Sequence, residues 1–500
     1  MRPNCAQFLC IVTLLIVATV TLACKTENRT QSVAAAVGAG KIPITTTSDQ
    51  ARAEFLAGRD LAERLLGQES LQHFDRALTL DPDFALAELA RANNSPTAKE
   101  FFAHQLKATI LADKASEGEK LLILANEAGS NGEVVKQKEY LEKLVAAYPG
   151  DERAQFSLAN YCFGQQDYAQ AVEHYKKATE LNPTYSPAYN VLGYAYRQQG
   201  DYANAELAFK KYVELIPQDP NPYDSYAELL LKMGRFDDSI AQYHKALSID
   251  PQFVPSHFGL SADFTYAGKP EAAMAELETM AKQARNDGEL RTAYFGMAVV
   301  ESDEGQFDKA LEAIDKQYGV AEKKNDAAAM AGDLQAKGNI LMAAQSYDAA
   351  AKQFERSLQL IQGSTLSQEI KQNAKLQESF NLAGVAIEKK DYVGAKKYAE
   401  EFRRGAEASK NPAQLKQVHE LNGRIAFAQK QYETAIAELE QANDQNPTNL
   451  YRLSLAYLAK GDRTKAQEYG KKAAEFNSLP QLNYALIRAK ARKVAAGEKG

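Results

Sequence analysis

Residues 186–219 read SPAYNVLGYAYRQQGDYANAELAFKKYVELIPQD, and their pattern decides the fold. Tyr189, Leu192, Gly193 and Tyr196 recur at helical spacing, an apolar stripe holding one glycine where a second helix must come close. Gln199, Gly200 and Asp201 then interrupt it: glycine accepts the left-handed conformation that ends a helix, and aspartate suits the N-cap of the next. Tyr202, Ala205, Ala208 and Phe209 carry a second helix, which Pro217 closes. Small residues let the two helices approach, and the aromatics fill what remains. The stretch predicts one helical hairpin.

The hairpin recurs. Pro183, Pro217 and Pro251 stand 34 residues apart. Leu158, Ala159, Ala171, Tyr175 and Ala178 occupy the same places one period earlier, and Tyr223, Tyr226, Ala227, Tyr243 and Ala246 one period later. In these letters the chain resembles the tetratricopeptide repeat family, which implies an all-α, right-handed superhelical solenoid of helix-turn-helix repeats, each covered by its neighbours. Gly58, Leu61, Phe74, Ala77 and Pro82 fit the frame near the front. Gly423, Tyr432, Ala435, Leu439, Ala442 and Pro447 fit it near the end, followed by Leu453, Tyr457, Ala466 and Ala473. Ala310, Ala350 and Ala395 mark second helices at spacings of 40 and 45, which require longer helices or wider loops. Segments such as NPYDSYAELLLKMGRF (residues 221–236) also look like those of long bacterial tetratricopeptide proteins, a likeness that supplies a fold and no reaction.

These boundaries divide the chain into a signal peptide (1–23), a flexible tether (24–47), divergent repeats (48–150), a regular centre (151–287), divergent longer repeats (288–408), a final repeat pair (409–478) and a capping helix with tail (479–500). Ala, Leu, Lys, Glu and Gln dominate and no alternating pattern survives, so strand is not expected. A solenoid spreads one core along its length. The last helix carries Arg488, Lys490, Arg492 and Lys493, expected on the watered side of a cap, with a contact to acidic lipid or protein as the alternative.

Residues 8–23 form an apolar run behind Arg2 that is short for a membrane span and ends in Leu22, Ala23 and Cys24. This resembles the bacterial lipobox, which implies lipidation at Cys24 and, with Lys25 next, the outer membrane facing the periplasm; Thr21 departs from the favoured leucine. A plain secretory signal, leaving a periplasmic or secreted protein, and an uncleaved anchor are the alternatives. Residues 25–47 are polar or small without a helical stripe and read as a tether.

Without the leader, Cys162 is the one thiol left besides Cys24, so no internal disulfide is available, and its place in a first helix suits a buried core residue. Losing Arg2 leaves 58 basic against 65 acidic residues, a charge of −7, which argues against a nucleic-acid partner. The six histidines, His73, His104, His174, His244, His257 and His419, include no pair at zinc-binding spacing. There is no phosphate-cradling glycine loop, nucleophile elbow or calcium loop. Neither a cofactor, a metal nor an enzymatic activity is expected.

The resemblance places binding on the concave face, lined by first helices. Those positions here are Phe156, Asn160, Asn190, Tyr194, Arg197, Asp224 and Glu228. Amides there can hydrogen-bond the backbone of an extended protein segment while Phe156 and Tyr194 anchor it, or the two aromatics can simply complete packing with the next repeat. The clamp of chaperone-binding relatives is not expected, because only Asn160 matches it; Phe156, Val191, Asn221 and Ser225 stand at its other positions. The function expected is a lipid-anchored scaffold for protein partners. A glycan-capturing envelope lipoprotein, like starch-binding importer subunits, is the alternative, although those use tryptophan platforms and this chain has no Trp. A partner module of a sensory or enzymatic complex is another.

Overall fold

The computed structural model describes residues 40–498. Among them are 25 α-helices, one short 3-10 turn at Ala112–Lys114 and no strand. The helices pair into successive hairpins, with one helix over at the end. The Cys24 lipidation site and the leader lie outside the described residues.

The local chemistry matches the period. In the regular centre the second helices end at Leu181, Leu215 and Ile249, each two residues before its proline. The hairpin turns pass through a left-handed residue at Gly132, Gln166, Gly200, Gly234 and Gly268, a 34-residue beat, and then at Gly305, Gln345 and Lys390 as the period widens to 40 and 45. Wider spacing comes from longer helices: Ala327–Ala343 has 17 residues and Gln368–Glu388 has 21, against 13 in Ser186–Gln198. Aspartates start second helices as N-caps, Asp167 accepting from the Gln170 N–H and Asp201 from that of Asn204.

Side chains at one repeat position are sealed throughout. Ala171, Ala205, Ser239 and Ala273 are fully buried, as are Ala310, Ala350 and Ala395 in the long repeats. Tyr175, Phe209 and Tyr243, again 34 apart, are fully buried behind them, each removing about 1.5–3 kcal/mol worth of apolar surface from water.

The described chain divides into two compact units instead of the single continuous core expected. The first runs to Leu229, with Ser248–Asp250; the second takes Leu230–Leu247 and everything from Pro251 onward. In the first unit a core extends from Ile42 to Ala208. It includes residues assigned by composition to the tether. Ile42 and Ile44 are buried, the Ile42 N–H donates to Asp151 at 3.0 Å, and the Thr45 N–H and hydroxyl both donate to Glu119, at 2.8 and 2.6 Å. Residues 40–47 are therefore an extended strap and not a free linker. Alternate residues point inward, a period-two pattern too short to stand out in a polar run.

In the second unit the final helix departs from a simple cap. Lys490, Arg492 and Lys493 are exposed as expected, but Arg488 is buried and ion-paired with Asp303.

Candidate functional site

All seven candidate groove residues lie in the first unit, on three consecutive first helices, here α1 (Glu152–Gly164), α2 (Ser186–Gln198) and α3 (Asn221–Lys232). The structure joins some of them and assigns others to packing. Phe156 is a core residue, 2% exposed, its ring 5.7 Å from Tyr175 and 5.4 Å from Tyr185. It cannot serve as an exposed anchor; packing with the next repeat takes it. The Asn160 carboxamide accepts a 2.6 Å bond from the Tyr175 hydroxyl, which ties it into its own hairpin.

Tyr194, Arg197 and Glu228 form one network across α2 and α3. The Tyr194 hydroxyl donates to Glu228 at 2.9 Å and Arg197 Nη1 to the other carboxylate oxygen at 3.2 Å. The guanidinium lies 4.6 Å above the Tyr194 ring, whose edge meets Phe209 at 5.1 Å. Burial, helped by the Glu228 charge, pushes the Tyr194 phenol well above its usual range. Arg197 and Glu228 keep 17% and 13% of their side-chain surface, so the network is largely buried but still reaches solvent. Asp224 is buried beside it on α3. Asn190, 2% exposed, has a carboxamide oxygen without a hydrogen-bond partner, and Arg197 Nε is likewise unpaired. Desolvated groups left this way cost roughly 1–3 kcal/mol each.

Sequence reasoning missed the charged cluster that closes this unit. Helix Asp49–Glu63 ends against α1: Arg153 clamps Glu63 at 2.8 and 3.1 Å and lies 5.0 Å over the Tyr185 ring. Burial raises the Glu63 carboxyl against the pull of Arg153, and burial together with the Arg153 charge pushes Arg59 down to about 10. Arg64 forks onto Asp219 at 2.7 and 2.6 Å. None of these residues follows the 34-residue period, so no repeated letter marked them.

Histidines serve the hairpins. His73 meets Glu54, His174 meets Gln155, His257 meets Glu276 and His419 meets Glu438, all 19 residues apart and at 2.7–2.8 Å, bridging the two helices of one repeat. Cys162 is buried, and burial pushes its thiol up to about 11, the opposite of a reactive cysteine. Among the described residues no group of His, Cys, Asp and Glu is placed to hold a metal ion, and no helix is long and apolar enough to cross a membrane.

With this geometry in place, comparison with known proteins identifies repeats in part of the chain. The tetratricopeptide repeat family matches residues 137–186, 164–220, 221–253 and 448–478. Residues 137–253 and 448–478 therefore carry tetratricopeptide repeats, and the described residues are all-α helical hairpins like those of such solenoids. No curated protein sequence matches it. Among solved structures it is similar to the APC/C hetero-tetramer Cut9–Hcn1, at 16% identity, TM-score 0.40, covering 85% of this chain and 76% of that one. It is also similar to PilW, described as a widely conserved type IV pilus biogenesis factor, at 22% identity, TM-score 0.32, covering 44% and 96%. A third is YrrB, described as a TPR protein with an unusual peptide-binding site, at 18% identity, TM-score 0.25, covering 36% and 91%.

Proposed function

We propose that the chain is a non-enzymatic scaffold that gathers protein partners on the first-helix face of its repeats, held at the bacterial envelope by lipid on Cys24. The observation that carries the reading is the Arg197–Glu228 pair, joined to Tyr194 across α2 and α3 and still reached by solvent. An extended peptide crossing α2 and α3 offers both an N–H and a carbonyl. Its N–H would find an acceptor in the Glu228 carboxylate and its carbonyl a donor in the Arg197 guanidinium, the two charged groups of the network that keep some exposed surface. The apolar run ending in Leu22, Ala23 and Cys24 supports the anchor.

The test is a pull-down from solubilised envelope with the full chain, identification of the captured protein by mass spectrometry, and titration of that protein against wild type and Arg197→Gln/Glu228→Gln. Loss of two central contacts should weaken binding by roughly 2 kcal/mol, about thirtyfold. Equal affinity for a variant whose circular dichroism is unchanged removes this face as the site.

A further inference from the structure

In the second unit the end of the chain lies where a ligand would. Helix α4 (Leu482–Ala495) packs on its neighbour Arg463–Ala474, and otherwise on the first helices Asp287–Asp303, Ala327–Ala343 and Pro447–Lys460. Residues 475–481 lead into it without helix, with Asn477 left-handed at φ 40°. This stretch is gripped by its backbone. Lys232 Nζ donates to the Phe476 carbonyl at 2.6 Å, and the Tyr266 hydroxyl to that of Ser478 at 2.6 Å. Farther along, Thr448 donates to the Asn483 carbonyl at 2.9 Å. Side chains of first helices bonding successive main-chain carbonyls is a recognition mode that any extended protein segment can use.

The helical part supplies selectivity. Leu482, Tyr484, Ile487 and Val494 bury one apolar face. Between them Arg488 is 4% exposed, its Nε 2.7 Å from Asp303, its second nitrogen on the same carboxylate and on the Thr265 carbonyl, and its guanidinium 5.1 Å over the Tyr266 ring. A carboxylate buried in that position selects a guanidinium, whose fork matches it.

The same tail is positioned to leave. Residues 475–481 contain no helix and can swing without breaking one. Arg488 Nη1 is buried without a partner.

We propose that the first-helix face of the second unit is a receptor groove kept shut by the chain's own tail, and that the partner it fits is a protein segment of the tail's chemistry: a short extended stretch followed by an amphipathic helix whose arginine meets Asp303. This extends the scaffold reading to a second face. Its test uses no residue of the Asn190 to Glu228 set, so the two can fail separately.

The experiment uses the full-length protein. Hydrogen exchange is followed by mass spectrometry, and a fluorescein-labelled peptide of residues 475–498 is titrated onto wild type, Arg488→Ala and Asp303→Asn. In wild type the α4 amides should exchange at least tenfold faster than those of Asp287–Asp303 and Pro447–Lys460. Arg488→Ala, which loosens the resident tail and spares the groove, should bind the peptide at least tenfold more tightly than Asp303→Asn, which damages the groove. The proposal is overturned if α4 exchanges in step with those two helices in wild type, a result that requires no variant to fold. It is also overturned if the two variants bind the peptide equally, or if light scattering finds a stable wild-type dimer with protected α4, which would give the groove to a second copy's tail.

Discussion

A Cβ added at Gly193 would stand 2.7 Å from the ring of Phe209, sixteen residues later in the same hairpin. The relation recurs between Gly58 and Phe74 at 2.8 Å, and between Gly338 and Phe354 at 2.3 Å. In each pair the first helix leaves out a side chain so that the second can place a ring against its backbone. Both members were legible as letters, but only their spacing says that they touch.

Gly193→Leu therefore forces Phe209, which is fully buried, out of its place. The expected cost is about 1–3 kcal/mol, as for overpacking a filled core. Urea unfolding followed by circular dichroism measures it, and a midpoint equal to wild type would show that the two helices are not in contact here.

Gln345 and Lys390 sit at φ 59° and 60° in hairpin turns where Gly200 and Gly234 do the same work elsewhere. A side chain in that region meets its own backbone. Gln345→Gly and Lys390→Gly relieve the clash and loosen the unfolded chain in return, so the net gain expected is a few tenths to about 1 kcal/mol each. The check is a rise in thermal midpoint; a fall would mean that side-chain contacts hold these turns.

These turns also explain what the sequence could and could not reveal. Where glycine marks the left-handed residue, from Gly200 to Gly268, the period was plain. Where Gln345 and Lys390 take that role the boundary was visible only through the sealed alanines Ala350 and Ala395. The candidate face was half legible. Position in the repeat identified Tyr194, Arg197 and Glu228 as neighbours, but could not say that Phe156 lies beneath Tyr185, because a ring facing a groove and a ring facing the next helix share the same spacing. Long-range ion pairs such as Arg153 with Glu63 depend on how far the stack of hairpins turns, a small rotation per repeat that no single repeat encodes.

Asp263, on the helix Val254–Tyr266, is fully buried, and burial pushes its carboxyl up to about 8 while the Ser239 hydroxyl pulls it back. The folded value lies above the 3.8 of a free aspartate side chain, so the folded protein holds a proton that the unfolded chain releases. The contribution of Asp263 to stability is thus greatest below pH 4, falls as the pH rises toward 8, and levels off above it. Asp263→Asn should remove that slope and stabilise the protein at pH 8 by about 1–3 kcal/mol, with little change at pH 4. Urea midpoints at pH 4.5, 6 and 8 decide it; parallel pH profiles for the two proteins would rule it out.

Cys24→Ala should abolish lipid attachment if the run ending in Leu22, Ala23 and Cys24 is read as a lipobox. The mature mass should lose its acyl groups or the leader should remain uncleaved, and the protein should leave the membrane fraction. Wild-type mass and fractionation in the variant would end that reading.

Arg64 and Asp219 are 155 residues apart, and their two parallel bonds of 2.7 and 2.6 Å tie the end of the first helix, Asp49–Glu63, to the start of α3 within one unit. Asp219 keeps only 7% of its side-chain surface, whereas Arg64 keeps 34%. The partners are therefore unequal: removing the arginine strands a desolvated carboxylate, and removing the carboxylate leaves a guanidinium that water still reaches. Arg64→Ala should destabilise by about 1–2 kcal/mol, less than a fully buried pair because solvent screens one end. Adding Asp219→Asn to Arg64→Ala should recover part of that loss, since the stranded charge is gone. A double-mutant cycle in urea measures the coupling, and a double variant less stable than Arg64→Ala alone would show that Asp219 holds the start of α3 through its backbone neighbours and not through the ion pair.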